Sequence, residues 1–584
     1  MNVAEFVISI IQRMGADTAF CLTGGMAMHI NRAIEESPMQ VIYCNHEQAV
    51  AAAADGYAKA KYYCVPGLAV VTSGPGVMNA VNSVASAYHD SVPMYVVAGQ
   101  VKTEDINRFG LRSLGAQETP QLEMLAFITK CAFRYNPKDV TDEDLASNLA
   151  QAMVGRKGPV YLDIPLDIQP QRVENFEARL DSVIKRIRTI IDADVKTESS
   201  AAQRIVSELA QAERPVLVVG NGFRIAGVTR DELRSLVELW EIPTLFTWAS
   251  TDLLEHDHPL HFGCAGGLAP THSNRMIQDA DLLVFLGVRL DLLTTAYNPQ
   301  NYGKNAKRLV VECDAHEIKK NGELKNTTFF LEDLRSVFGV LLKTSPTIEA
   351  NKGWLDECAE WRTQDQLEEE RVFATSVLTT YQMARVLSVA PNASYIVPTA
   401  SGFATEGFLR FFRPSRNVTC AIAGHCLGSM GLALPMAIGA AAALKQRVVC
   451  LEGDGGLLLN VQELFTISAN PQLSLTLIVM NNGGYQSIIK SQNRAFAKEF
   501  GASKNSGLSD TNFSAIAAMV NLPYLRAANV AEFARLMADG GAPERCLIEL
   551  TMQEDGYRGP SVTTKFDEHG KPFSTDIGDV TWTR

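Results

Sequence analysis

The sequence predicts an α/β protein made of three doubly wound parallel-sheet domains, and three observations carry that prediction. Short apolar runs rich in β-branched residues, such as VVCL at 448–451 and LTLIVM at 475–480, have the composition of strands buried on both faces. Glycine turns follow several of these runs and lead into segments with helical apolar spacing. Two highly charged stretches, 177–194 and 351–371, interrupt the alternation and read as a connector and as a solvated helix or linker. A chain of 584 residues is long enough for several such cores. The expected division is 1–172, 173–350 and 351–555, followed by a polar tail, 556–584, that reads as a cover or a disordered end.

In the first region, residues 18–22 form a predicted strand entering the turn Thr23-Gly24-Gly25. Residues 40–44 form the next, followed by NHEQAVAAAADGYAKA, an Ala-rich helix with Asn45 as its expected N-cap. A strand at 68–72 leads into SGPGVMNAVNSVASAYHD, a glycine turn and helix, and strands at 93–98 and 159–164 complete the sheet. The second region opens on RPVLVVGNG and continues through IPTLFTW, DLLVFLGVRLD and KRLVVECD. The first and third regions share one plan.

The third region holds the most informative stretch, residues 448–482. Strand, GDGG turn, helix and second strand form a βαβ unit, with Asn460 as expected N-cap and Pro471 beyond the helix end. Such a unit brings the carboxyl ends of both strands to one sheet edge, so Asp454 and the pair Asn481-Asn482 are expected to meet. Gly453, Gly455 and Gly456 let backbone amides approach an anion. Carboxylate, amide and carbonyl oxygens suit Mg²⁺ completed by phosphate and water. A GDG turn alone is a weak signal.

Composition narrows the field further. Charged residues make up 20% and the net charge is −12, which argues against nucleic acid or an anionic membrane as partner. The eleven cysteines are scattered without a CxxC pair, which argues against a disulfide framework or a structural zinc and for a reducing compartment. The N-terminal segment lacks the pattern of a signal peptide, and no apolar run reaches the roughly 18 residues of a membrane span. A cytoplasmic protein is expected.

With NHEQA, SGPGVMN, GHCLGSMGLALPMAIGAA and GDGG…NN in this order, nearly the whole chain resembles the thiamine-diphosphate (ThDP) enzymes, and more closely their acetolactate synthase-like group. The resemblance implies a pyrimidine-binding, a middle and a pyrophosphate-binding domain, with the reactive carbanion supplied by the cofactor and proton control by the protein. It implies Glu47 as the glutamate that activates the aminopyrimidine. It implies Gly428, Ser429 and Met430 as the segment that holds that ring, with Met430 wedged between the two rings. The metal falls to Asp454, Asn482 and the Gly484 carbonyl, with Gly455 and Gly456 near the diphosphate. A spacing one residue longer than the family pattern leaves Asn481 as an alternative ligand. Gly24 and Gly25 belong with the cofactor-binding residues. In the family the Glu and the metal site come from different subunits, so a homodimer is the minimum unit and a tetramer is common.

The segment RSLGAQETPQL lacks the His-His pair of simple 2-oxo-acid decarboxylases and resembles the Gln-Glu segment of the synthases. Gln117 is therefore expected to contact the reacting groups, and transfer of the acyl unit of pyruvate to a second carbonyl is the expected reaction. A non-ligating decarboxylase or C–C lyase is the alternative. Ala116 stands where the synthases carry Phe, and Leu293 where they carry an acceptor-binding Arg. Both departures point to a bulkier or less acidic acceptor, as in relatives that act on keto-sugar nucleotides. In the middle region, Arg289 and Asp314 fall where FAD-containing relatives contact the flavin, which makes FAD a candidate cofactor. A dinucleotide-binding oxidoreductase is the reading from a different class, but TGGMAM replaces GxGxxG and no Walker lysine is present.

Overall fold

The structure is a computed structural model, and it describes residues 1–584 except 197, 345–351, 392, 421–425, 554–558, 567 and 583–584. It contains three six-stranded sheets, each parallel throughout. The first comprises β1 (Thr18–Cys21), β2 (Gln40–Tyr43), β3 (Gly67–Val71), β4 (Met94–Gln100), β5 (Cys131–Arg134) and β6 (Pro159–Pro165), in the order β2-β1-β3-β4-β6-β5. The second comprises β7 (Pro215–Val219), β8 (Thr244–Phe246), β9 (His261–Cys264), β10 (Leu282–Leu286), β11 (Lys307–Glu312) and β12 (Thr327–Leu331), in the order β12-β11-β10-β7-β8-β9. The third comprises β13 (Tyr395–Val397), β14 (Thr419–Cys420), β15 (Val448–Gly453), β16 (Leu475–Asn481), β17 (Tyr524–Ala527) and β18 (Cys546–Thr551), in the order β14-β13-β15-β16-β18-β17.

Counted within each region, the first and third sheets have the same order, 2-1-3-4-6-5, so their shared plan holds strand for strand. The middle sheet runs 3-2-1-4-5-6, the order of dinucleotide-binding folds. The central strands β3, β4, β7 and β10 are buried along their whole length, which is why their sequences run apolar without alternation.

Two helices lock the first region to the third. The Glu47–Ala60 and Ala433–Leu444 helices are Ala-rich, and the second is buried at nearly every position. They cross with their backbones in contact. A Cβ at Gly56 would stand 2.0 Å from the Met436 carbonyl oxygen, and one at Gly439 would stand 1.8 Å from that of Ala53. Only glycine allows that approach.

Several local expectations need correction. The N-cap of the Glu47–Ala60 helix is His46, whose Nδ1 accepts from the Gln48 amide at 3.1 Å, rather than Asn45. Asn45 instead reaches the third region, where its Nδ2 donates to Thr466 Oγ1 at 2.9 Å. Asn460 caps nothing, because the helix begins at Glu463. It is buried and donates to the Gly431 carbonyl at 2.8 Å.

The supposed connector at 177–194 is the helix Phe176–Asp194, whose Leu180, Val183, Ile184 and Ile187 belong to a core of the first region. The charged stretch 351–371, whose first residue lies outside the described ones, is mostly the helix Lys352–Phe373. It is not solvated all round: Trp354, Cys358, Trp361, Asp365, Glu369 and Phe373 recur at helical spacing and are buried. In the tail, residues 556–558, 567 and 583–584 lie outside the described ones. Elsewhere in it, Val562 N donates to the Gly267 carbonyl at 2.9 Å and the Trp582 indole to Asp365, so this part covers the middle and third regions.

Candidate active site

The carboxyl edge of the third sheet gathers most of the expected residues. Asp454 follows β15 directly, and the loop after β16 wraps round its side chain. Oδ2 accepts from the amides of Gly483 and Gly484 at 3.0 and 2.8 Å, and Oδ1 from that of Gly455 at 2.7 Å. Burial raises the Asp454 pKa above its ordinary value, and these amides oppose the shift. Of the two asparagines, Asn481 donates its Nδ2 to Glu549 Oε1 at 2.7 Å. The carbonyl of Asn482 accepts from Gln486 Nε2 at 2.6 Å.

The glycines of the turn serve packing as well as any anion. A Cβ at Gly455 would stand 2.2 Å from the Tyr485 ring, and one at Gly456 would stand 2.4 Å from Glu452 Oε1. Gly484, with φ at +124°, lies against the backbone of Ala502.

The segment Gly428, Ser429 and Met430 leads into Gly431, where a Cβ would stand 3.0 Å from the Gly456 carbonyl oxygen of this turn. Gly424 and His425, which open the same motif, lie outside the described residues. Gly428 and Gly431 have positive φ, and a Cβ at Gly431 would stand 2.7 Å from that of Leu459. Met430 is half-buried, and Ser429 Oγ donates to Asn82 Oδ1 at 2.7 Å.

At the carboxyl edge of the first sheet, Glu47 opens its helix and is half-buried. Its Oε2 accepts from Asn79 Nδ2 at 3.0 Å. Gly24 leaves no room for a side chain, since a Cβ there would stand 2.4 Å from that of Thr72, whereas Gly25 faces open space. Gln117 is exposed in the left-handed region, at φ +64°, and its carbonyl oxygen lies 2.5 Å from where a Cβ on Gly74 would stand. The SGPG turn and the Gln117 segment therefore fit only because residue 74 is glycine.

Within one chain these two edges touch. Asn460 Nδ2 donates to Gln48 Oε1 at 3.3 Å, and the Asn45 amide donates to Glu463 Oε1 at 3.1 Å. Glu463 is fully buried, and burial pushes its carboxyl up to about 7 against the Thr466 hydroxyl and the Asn45 and His46 amides. Sequence reasoning missed it. The available signal was an acid on the apolar face of ELFTISA.

The middle region lines a cavity of about 650 Å³ shared with the other two. Asn221 and Gly222, after β7, and Gly287 and Arg289, after β10, border it. β7 and β10 are strands 1 and 4 of the 3-2-1-4-5-6 order, so the cavity lies at the topological switch point. Arg289 pairs with Asp291 at 3.2 Å. Asp314 is not on the cavity wall. Its carboxylate caps the next helix and accepts from Arg156 at 3.0 Å, and it is Arg156, from the first region, that lines the cavity. Arg156 too was not anticipated.

Comparison with known proteins matches this arrangement. The description "Thiamine pyrophosphate enzyme, N-terminal TPP binding domain" fits residues 1–125, the central domain 202–337 and the C-terminal TPP binding domain 399–548. A probable acetolactate synthase 2 of Oryza sativa is 33% identical over 84% of this chain and 73% of the relative. The acetolactate synthase isozyme 2 large subunit of Escherichia coli is 28% identical over 82% and 83%. A probable acetolactate synthase large subunit of Methanococcus aeolicus is 27% identical over 85% and 83%. With three regions matched in order and each occupied by its own parallel sheet, the chain belongs to the thiamine pyrophosphate enzyme family, as a ThDP-dependent enzyme of its acetolactate synthase-like group.

Proposed function

We propose that the enzyme decarboxylates a 2-oxo acid, pyruvate, and passes the acyl unit to a second carbonyl compound, using ThDP and Mg²⁺ in a homodimer or a higher homo-oligomer. The observation that carries this reading is the meeting of Asp454 with the loop after β16 at one sheet edge, where the Gly483 and Gly484 amides bond its carboxylate next to Asn482. Among the described residues, no three His, Cys, Asp or Glu side chains group to hold a metal. A cation here therefore has one carboxylate and neutral oxygens from the protein, and a diphosphate supplies the remaining charge. Asp454, Asn482 and the Gly484 carbonyl would hold Mg²⁺. Asn481 is disfavoured as the ligand by its bond to Glu549.

When bound, ThDP supplies a nucleophilic carbon that adds to carbonyl groups. Glu47 would hold a proton at the aminopyrimidine ring, with Asn79 fixing its carboxylate. Met430 would fix the ring's tilt. The Gln117 segment favours ligation over protonation. Residues 103–120 contain no histidine, and Glu118 is buried and accepts from the amides of Asn107 and Leu114. A neutral amide at Gln117 can orient an acceptor without protonating the donor unit. Leu293 and Ala116 leave the acceptor site without the cation and the aromatic ring of the synthases, consistent with a larger or less acidic acceptor.

FAD is the second cofactor of this reading. The cavity at the switch point is of cofactor size, and Arg156 and Arg289 offer it cations beside glycine turns. Purified protein with flavin absorbance checks this directly. The main test is mass identification of products from pyruvate with aldehyde, keto-acid and keto-sugar acceptors. Release of free acetaldehyde alone, whatever acceptor is added, overturns the ligation reading.

A further inference from the structure

Gln121, the first residue of the Gln121–Ala126 helix, is fully buried at the carboxyl edge of the first sheet. Its side-chain amide is bonded to three other segments. Oε1 accepts the Gly74 amide at 3.2 Å, while Nε2 donates to the Gly99 carbonyl at 3.2 Å and to Asp163 Oδ2 at 3.1 Å. The NH₂ group faces two acceptors and the oxygen faces a donor, so the amide fits only one way round. Asp163 is itself fully buried. Arg134, its register neighbour on the edge strand β5, grips both of its oxygens at 2.7 and 2.9 Å. Such bidentate, charge-assisted pairing fixes geometry as well as adding energy.

The amide that Gln121 holds belongs to a turn between two residues assigned above. Gly74 has φ at +61° and precedes the Pro75–His89 helix without a side-chain cap. A Cβ on it would stand 2.5 Å from the Gln117 carbonyl oxygen. On the other side of the turn, Asn79 of that helix donates to Glu47 Oε2 at 3.0 Å, and a Cβ on Gly76 would stand 3.5 Å from Glu47 Oε1. Gly74 thus abuts the Gln117 segment and leads directly into the helix that holds Glu47.

We propose that Gln121 is a positioning residue: it fixes the Gly74 turn, and through the turn it sets Glu47 and Gln117 relative to each other. The proposal rests on the ThDP reading above, in which Glu47 holds a proton at the aminopyrimidine ring and Gln117 orients the acceptor. The Arg134–Asp163 pair in turn keeps the Gln121 amide in its one orientation. A side chain of the same length without polar atoms leaves the Gly74 amide without this acceptor. A buried donor left unpaired is costly enough to draw the turn toward another acceptor.

The test uses the full-length protein with ThDP and Mg²⁺, wild type beside Gln121→Met, Gln121→Asn and Tyr95→Phe. Tyr95→Phe is the stability control, because it removes a buried bond to the Leu149 carbonyl from the opposite end of β4. Calorimetry reads ThDP affinity, pyruvate consumption reads kcat and KM, product analysis reads the share of acyl units released as free aldehyde, and thermal unfolding reads Tm. Expected for Gln121→Met is ThDP affinity within about threefold of wild type, a larger free-aldehyde share and a kcat lower by about 10- to 100-fold, the scale of an ångström-sized misplacement. Gln121→Asn keeps the amide but shortens its reach. It shifts kcat in the same direction by less, and carries the test if Gln121→Met does not fold. Tyr95→Phe is expected to lower Tm and leave kcat at the wild-type value. A kcat that follows Tm across all three variants overturns the positioning role, as does an unchanged kcat in both Gln121 variants. If the wild type releases only free aldehyde, the ligation reading fails and kcat alone decides this inference. A wild-type protein that binds no ThDP overturns the functional reading first, and this inference with it.

Discussion

The first and third sheets share one strand order, yet their carboxyl edges carry different chemistry. Where β2 leaves the first sheet, the chain turns through Asn45 and His46 and places Glu47 on the first turn of a helix, half-buried and held by Asn79. Where β15 leaves the third, the chain turns through Gly453 into Asp454, whose two oxygens are filled by three backbone amides. In the proposed reading, the first arrangement sets a carboxylate beside the cofactor's ring, and the second sets a carboxylate beside its diphosphate and lets glycine backbones close round it. Topology thus decides where a site forms, at the strand exits, and the residue at the exit decides what the site does. The middle sheet, with its different order, places its cavity at its own switch point by the same rule.

If that division is right, substitutions at the two exits fail differently. Asp454→Ala is expected to remove Mg²⁺-dependent ThDP binding and to lower activity by about 10³-fold or more, the scale of several kcal/mol at a metal-held transition state. Calorimetry with and without Mg²⁺ checks it. Glu47→Gln is expected to keep ThDP binding and lower kcat by about 10²- to 10⁴-fold, the usual range for losing a positioned proton donor or acceptor. Intact activity with this variant would rule out the assigned role. Asn79→Ala, which only releases Glu47 Oε2, is expected to cost about tenfold in kcat, the scale of one hydrogen bond to a charged group.

The strand and helix pattern of all three regions was legible because buried parallel strands announce themselves as apolar runs between glycine turns. The meeting of Asp454 with the loop after β16 was legible for the same reason: a βαβ unit brings strand ends together whatever lies between. The caps were not. Asn45 and Asn460 are good capping residues by type, but their side chains are recruited by partners 421 and 29 residues away, respectively. No local window contains the competing partner. Glu463 escaped notice because an isolated acid usually marks a solvated face, and only the packed structure shows the donors that make it the exception. The Lys352–Phe373 helix misled for the opposite reason: its charges are plentiful, and its buried stripe depends on Trp354, Trp361 and Phe373 spaced among them.

The contact between the two like-folded regions can be tested without touching either exit. At the crossing of the Glu47–Ala60 and Ala433–Leu444 helices, Gly439→Ala forces a methyl group into the Ala53 carbonyl, so the helices must separate. Overpacking of this kind costs about 1–3 kcal/mol, and rigid backbone on both sides puts this site at the upper end. Chemical denaturation of the apoprotein measures it. Gly25→Ala, which meets no heavy atom within 4 Å, is the matched control and is expected to leave apoprotein stability nearly unchanged.

The smallest effect expected is a pH dependence located at the same contact. Glu463 has its carboxyl pushed up by burial to about 7, from an ordinary value near 4.5. The folded protein therefore holds this proton more tightly than the unfolded chain, and stability falls as pH rises from about 4.5 to about 7, then levels off. The loss is bounded by about 3 kcal/mol, the amides of Asn45 and His46 having already lowered what burial alone would give. Glu463→Gln removes the titration. Asp55, raised by burial to about 6, titrates in the same direction in both proteins. The difference between wild type and variant, measured as denaturation midpoints from pH 5 to 8, isolates Glu463. It is expected to favour the variant increasingly up to about pH 7. A constant difference across that range would mean that the carboxyl is already charged in the folded state, and that the Asn45–Glu463 contact joins the two regions as an anion bound by amides.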